Sequence, residues 1–272
     1  RHRVKTTSKE TKRMDYKNRT AVVTGASSGL GVEYARELAK RGANLVLVAR
    51  RKEALDELAT ELKKAHKVKV ETVALDLSTP TSAKQLMSEL KKLKLEPQIL
   101  INNAGFGTSG RFTKDNAEKV QEEIQLNVGT LVDLTHAVLP AMVAAKSGAI
   151  VNIASTAAYQ PVPGMAVYAA TKAFVLSFTS AVWGETKDTG VRVLAVSPGA
   201  TATSFFDVAG AKPSTALAPI SGVIDATFKS LDAAKSSPSV IVGGRNAILA
   251  TVSKFMPAKL VIGVAAGMFL KD

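Results

Sequence analysis

The chain contains no cysteine, which excludes disulfides and thiol chemistry and suits a reducing compartment. Aromatic residues make up only 5% of its 272 positions, and acids number 23 against 36 lysines and arginines. The resulting charge of +13 is unevenly spread, +5 of it in residues 1–13, and the remaining basic residues are scattered through helical patterns without interleaved aromatics, so nucleic-acid binding is not expected. Near the carboxyl end the longest uncharged run, Leu260 to Leu270, has eleven residues. About 20 would be needed to span a bilayer. Nor is a metal site expected. Residues 1–13 hold six basic residues against Glu10 and one apolar residue, Val4. A leader so composed lacks both the apolar core of a signal peptide and the apolar face of a transit helix. It is expected to be disordered, with Met14 as the natural start and the preceding residues as upstream sequence or an expression remnant. Cytoplasmic localisation is expected.

What the chain does have is 46% hydrophobic residues in a regular alternation. Short β-branched runs are predicted as strands at Thr20–Thr24, Asn44–Val48, Val68–Ala74, Ile99–Asn102, Ala149–Ile153, Arg192–Ser197 and Ser239–Val242. Between them, segments such as KEALDELATELKKA carry apolar residues three and four apart, the helical period. Strands alternating with helices imply an α/β fold: a Rossmann-type doubly wound parallel sheet of about seven strands with helices on both faces. With no Pro/Gly/Ser linker, residues 14–244 are expected to form one catalytic domain. Residues 245–272 would add a helical extension, split by Pro257. For that extension, core or subunit-interface packing is favoured over a cap on the substrate pocket and over peripheral membrane contact.

The first strand runs into TGASSGLG, in which Gly25, Gly29 and Gly31 allow a tight turn and close backbone approach to a pyrophosphate at a helix N-terminus. After the second strand, where an acid would bind a ribose 2′-hydroxyl, stand Arg50 and Arg51. A guanidinium holds a 2′-phosphate with bidentate, charge-assisted bonds, so NADP(H) is inferred over NAD(H). Asp76 could accept from an adenine amine or cap a helix. The small residues of NNAGFG let a cofactor pass close to the backbone. Asn127, polar within an apolar helical stretch, is either structural or holds a water. Ala200 to Ser214 reads as a mobile loop of the kind that closes over ligands.

Tyr168 and Lys172, four apart at the start of a helix, share one face. An ammonium beside a phenol favours the phenolate, and a shift of about three units corresponds to about 4 kcal/mol. Ser155 follows an apolar run and belongs at the carboxyl end of a strand, where open α/β sheets place their ligands.

Together, TGxxxGxG at Thr24–Gly31, NNAG at Asn102–Gly105, Asn127, Ser155, Tyr168, Lys172 and the Pro198-Gly199 turn resemble the short-chain dehydrogenase/reductase family over about residues 18–242. The resemblance implies a catalytic tetrad of Asn127, Ser155, Tyr168 and Lys172. It implies a cofactor site drawn from Gly25, Ser27, Ser28, Gly29, Leu30, Gly31, Arg50, Arg51, Asp76, Leu77, Asn103, Ala104, Gly105, Tyr168, Lys172, Pro198, Gly199, Thr201 and Thr203. The expected activity is reduction of a ketone or aldehyde to an alcohol, with Tyr168 as general acid/base. A non-catalytic NADP(H)-binding sensor or scaffold of the same fold is the alternative. The substrate would have a hydrophobic body against Phe106, Thr156, Tyr159, Met165, Phe205 and Phe206, and the assembly would be a homodimer or homotetramer.

Overall fold

A computed structural model describes residues 14–211, 216–253 and 255–270; the leader at 1–13 lies outside them. The seven strands are β1 (Thr20–Thr24), β2 (Asn44–Ala49), β3 (Val70–Ala74), β4 (Ile99–Asn102), β5 (Gly148–Ile153), β6 (Val191–Ser197) and β7 (Ser239–Ile241). All run parallel in the order β3-β2-β1-β4-β5-β6-β7. Strands β5 and β6 are buried at every position. Cover on both faces is why they read in the sequence as unbroken apolar runs rather than alternating ones.

The helices are α1 (Gly29–Lys40), α2 (Lys52–His66), α3 (Ser82–Lys92), α4 (Ala117–Ile124), α5 (Leu131–Ala144), α6 (Ala166–Thr186), α7 (Phe205–Ala209), α8 (Ile220–Asp232), α9 (Gly244–Ser253) and α10 (Ala258–Phe269). Alternate strand residues feed two cores. Ala21, Val23, Leu45 and Leu47 pack under α1, α2 and α8 with Tyr34, Leu38, Leu62 and Phe228. Val22, Val46 and Val48 pack on the other face with Leu86 and Leu90 of α3 and Leu134, Val138 and Met142 of α5. Two helical stretches, 117–144 and 166–186, are long and apolar enough to cross a membrane by length and composition. In the fold both serve as sheet-covering layers, α5 against β4 and β5 and α6 against β5 and β6.

From β3 at one edge the chain crosses to β4 beside β1, so the connections diverge between β1 and β4. That divergence opens a crevice at the carboxyl ends of the strands, where every functional loop emerges.

Two expectations need correction. The segment 200–214 is not wholly irregular: Thr201 bridges to Ala218 and 205–209 form α7, while 212–214 lie outside the described residues. Of the two packings favoured for the extension, core or subunit interface, the structure bears only on the first, and the extension does not pack mainly into the protein's own core. Of α10 only Val261 and Ala265 are buried, and both α9 and α10 border the cavity at the crevice.

Candidate active site

The glycine-rich turn forms because the chain leaves β1 in a left-handed conformation, with φ of +68° at Gly25 and +56° at Gly29. Ser28 stands at the N-cap position of α1 without a side-chain capping bond, and the first turn has no acidic residue, so the N–H groups and dipole there remain free to bind an anion. A Cβ on Gly25 would lie 2.8 Å from the Asn103 Nδ2, so the turn and the β4 loop touch directly. Gly31 works differently. A Cβ there would lie 2.1 Å from the Gly25 carbonyl oxygen, and the residue does not border the cavity. It brings α1 against the turn; the other predicted cofactor residues all border the cavity.

One side chain that the sequence did not flag holds this junction. Thr24 Oγ1 donates to the Ile101 carbonyl (3.1 Å) and accepts from the backbone N–H groups of Asn103 (2.9 Å) and Ala104 (3.0 Å). Asn103 Nδ2 in turn donates to the Thr24 carbonyl at 2.9 Å. Behind them Asn102 donates to Asn152 Oδ1 (2.9 Å) and Asn152 to Thr179 (2.9 Å), so the buried amides tie β4, β5 and α6 together.

At the far end of the crevice Arg51 Nη2 donates to the Ser27 carbonyl at 2.9 Å, which carries its guanidinium over the glycine-rich turn. Arg50 borders the same cavity. Asp76 caps no helix; its Oδ1 accepts from the Ser78 N–H (2.9 Å) and hydroxyl (2.7 Å). Burial opposes ionisation of this carboxyl, but the Ser78 bonds, assisted by the Arg50 charge, hold it below the usual range. Two exposed guanidinium groups beside a glycine cradle and a helix N-terminus fit a phosphorylated dinucleotide.

At the near end, Ser155 stands just past β5 in extended backbone, and its hydroxyl accepts from the Ala157 N–H at 3.1 Å. Tyr168 and Lys172 lie on the buried face of α6, at 9% and 5% exposure. Lys172 Nζ donates to the Ile153 carbonyl at 2.8 Å and sits 5.7 Å from the centre of the Tyr168 ring. Phe205 of α7 packs on that ring with centroids 4.9 Å apart. Gly107, another residue unmarked in the sequence, permits this closeness: a Cβ there would meet the Tyr168 ring at 2.9 Å and Phe205 at 3.1 Å.

Asn127 sits within a π-helical turn, Gln125–Thr130, between α4 and α5, a distortion that often accompanies functional sites. It is buried and does not border the cavity. Its amide donates to the Phe106 carbonyl (2.8 Å) and Thr171 Oγ1 (3.1 Å), and its Oδ1 accepts from the Phe106 N–H (3.2 Å). Of its two expected roles the structural one is visible: it fixes the β4 loop behind Gly105. One turn earlier lies Glu123, fully buried and unforeseen. Its Oε2 accepts from the Thr108 N–H (2.9 Å) and hydroxyl (2.7 Å), while Oε1 has no partner among the described residues.

The electrostatics depart from the sequence expectation. Burial pushes the Tyr168 phenol up to about 12; hydrogen bonding from Ser155 opposes that rise and the Glu123 charge adds to it. Burial also brings Lys172 down to about 8, with Glu123 acting in the other direction. Desolvation of the phenol therefore outweighs any stabilisation of its anion by the neighbouring ammonium, which itself sits in a site that disfavours charge.

The crevice encloses about 1430 Å³, continuous from Arg50 and Arg51, past the glycine cradle, to Ser155, Tyr168 and Lys172. It continues into a mostly apolar section with all six expected lining residues, joined by Val162, Leu249, Val264 and Met268. The profile of the short chain dehydrogenase family matches residues 19–213. The chain belongs to that family. As a short-chain dehydrogenase it is an oxidoreductase acting at the CH–OH/carbonyl level with a nicotinamide cofactor. It is 39% identical over 186 residues to sulfoacetaldehyde reductase 2 of Chromohalobacter salexigens, covering 68% of this chain and 73% of that protein. Some other relatives are longer, the match spanning 56% and 60% of their length. Among solved structures, a short-chain dehydrogenase from Sphingobium yanoikuyae in complex with NADPH superposes with a TM-score of 0.77 at 37% identity, over 87% of this chain and 94% of that one. The bulky-bulky ketone specific alcohol dehydrogenase from Comamonas testosteroni superposes with 0.74 at 34% identity, over 87% and 92%.

Proposed function

We propose that this short-chain dehydrogenase is an NADPH-dependent reductase of ketones or aldehydes with an apolar body. The observation that carries the proposal is convergence. Ser155, Tyr168 and Lys172 border one end of a crevice whose other end presents a glycine cradle and two arginines, with apolar walls beyond.

The reduced nicotinamide, when bound, supplies the hydride equivalent, and the chain supplies the proton and the field. Arg50 and Arg51 would hold the 2′-phosphate, and the turn at Gly25–Gly29 with the start of α1 the pyrophosphate. Because the Ser155 oxygen accepts from Ala157, its own proton can be directed at the substrate oxygen. Tyr168 is the general acid. With its pKa raised to about 12 the phenol stays protonated at neutral pH, the form that reduction requires. A developing alkoxide is a much stronger base than phenolate, so the transfer runs downhill. Lys172 carries its charge behind the phenol and limits the cost of the phenolate that forms; Asn127 fixes the loop, and Gly105 leaves room beside the ammonium. The apolar walls exclude water from the carbonyl, and the specificity of the Comamonas testosteroni protein for bulky ketones supports the same substrate shape.

NADPH oxidation against a panel of ketones, aldehydes and 3-oxoacyl thioesters tests the proposal. Tyr168→Phe is expected to lower turnover about a hundredfold to ten-thousandfold while NADPH still binds by fluorescence titration. Equal turnover in parent and variant would overturn Tyr168 as the acid, and no turnover across the panel would leave only a binding role.

A further inference from the structure

Apart from Lys259 near its start, helix α10 carries only apolar residues and glycine, yet only two of its twelve residues are buried against the protein. A helix of that character belongs under cover. Together α9, the connection and α10 carry nine of the fifteen exposed large hydrophobic residues among those described, including Ile248 at 65% exposure, Phe255 at 85% and Leu260 at 52%. Soluble proteins rarely display so contiguous an apolar surface unless something docks on it.

We propose that this face rests on an anionic phospholipid bilayer, with α9 and α10 lying in the headgroup boundary. Charge identifies the occupant. Between Asp232 and Asp272 the sequence has Lys235, Arg245, Lys254, Lys259 and Lys271 and no acid. Arg245 and Lys259 are exposed on this face. A second copy docked through the same face would oppose like charges around an apolar centre, whereas an anionic surface complements them. Length limits the mode: twelve residues are too few to span, so the helix lies in the interface.

The position of the face gives the docking a use. Leu249, Val252, Met256, Val264 and Met268 are exposed and also border the catalytic cavity, so its apolar section opens within the face. An apolar carbonyl compound dissolved in the bilayer would then enter without crossing water. That last step rests on the reductase reading; the docking does not.

The test is flotation of the full chain with vesicles, read without any turnover. The expected result is retention by phosphatidylcholine vesicles containing about 30% phosphatidylglycerol and weak retention by pure phosphatidylcholine. The triple variant Ile248→Ser, Phe255→Ser, Leu260→Ser, all outside the cavity lining, is expected to lose about thirtyfold or more in vesicle affinity. Its turnover of a water-soluble aldehyde should stay at the parent level. Should the triple variant fold poorly, Lys259→Glu alone should abolish the preference for anionic vesicles. Parent protein that stays unbound with both vesicle types overturns the proposal. So does light scattering showing an oligomer that the triple variant dissociates without any vesicle binding, which would assign the face to a second copy. Vesicle binding in a protein that reduces no carbonyl would retain the docking and discard the reductase.

Discussion

Replacing Glu123 with glutamine should move the alkaline limit of catalysis. The carboxyl is fully buried, and burial raises its pKa, opposed by the two Thr108 bonds and then by the Lys172 charge, with Asp115 adding to the rise. Its influence on the site is seen from the other partners: it is the group that supports the ammonium of Lys172 and disfavours the anion of Tyr168. Glutamine keeps an acceptor for Thr108 and deletes the charge. One charge acting through the interior at an effective dielectric constant of about 20 contributes on the order of 1–2 kcal/mol, about one pKa unit. Lys172 stands at about 8 in the parent, so without Glu123 it should lose its proton near neutrality, about one unit lower. Tyr168 also falls from about 12 but remains protonated across the assay range, so the acid is retained. The measurement is kcat/KM for carbonyl reduction across about pH 6 to 9.5. Parent enzyme should decline as pH rises through about 8, and Glu123→Gln about one unit earlier. The logarithmic profile reports where the limb lies rather than how much protein is folded. A limb that stays in place means Glu123 is protonated when the enzyme works, and a limb that moves upward means the sign is wrong; either refutes the reasoning.

Two further outcomes follow from the cradle and the arginines. Gly31→Ala would drive a methyl group onto the Gly25 carbonyl, which has no room to yield, so thermal unfolding should show a loss of about 3 kcal/mol or more and NADPH affinity should fall with it. Arg50→Asp should raise KM for NADPH at least about tenfold more than KM for NADH, one lost charge-assisted pair being worth about 1.5–3 kcal/mol; an unchanged ratio would shift the phosphate contact to Arg51, where Arg51→Ala repeats the measurement.

The fold was legible because its strands are buried on both faces and its helices on one. Those two burial patterns write themselves into the chain as apolar runs such as Ala149–Ile153 and as apolar residues three and four apart, as in Leu55, Leu58 and Leu62. Ser155, Tyr168 and Lys172 were legible because each lies at a place the local pattern defines, a strand end or a helix face. Thr24, Gly107 and Glu123 were not. Their importance lies in partners 79, 80 and 15 residues away, or, for Gly107, in an aromatic ring packed from another helix, and no local spacing encodes these. The phenol's upward shift was missed for a related reason: the sequence puts an ammonium four residues along, but only the packing of Phe205, Met165 and Val162 shows how dry the site is. The extension was only partly legible, because apolar composition implies burial without saying what provides it.

The π-helical turn at Gln125–Thr130 also governs how the molecule can vary. Such a turn amounts to one extra residue accommodated within a continuous helix. Deleting a single residue there would let the helix close up as regular α with both flanks facing as before, because the wider turn is what absorbs the extra residue. What would be lost is the local widening that aims Asn127 at Phe106 and Thr171, while the sheet and both cores stayed intact. Lineages that shorten this turn by one residue should therefore keep the architecture and loosen the loop behind Gly105.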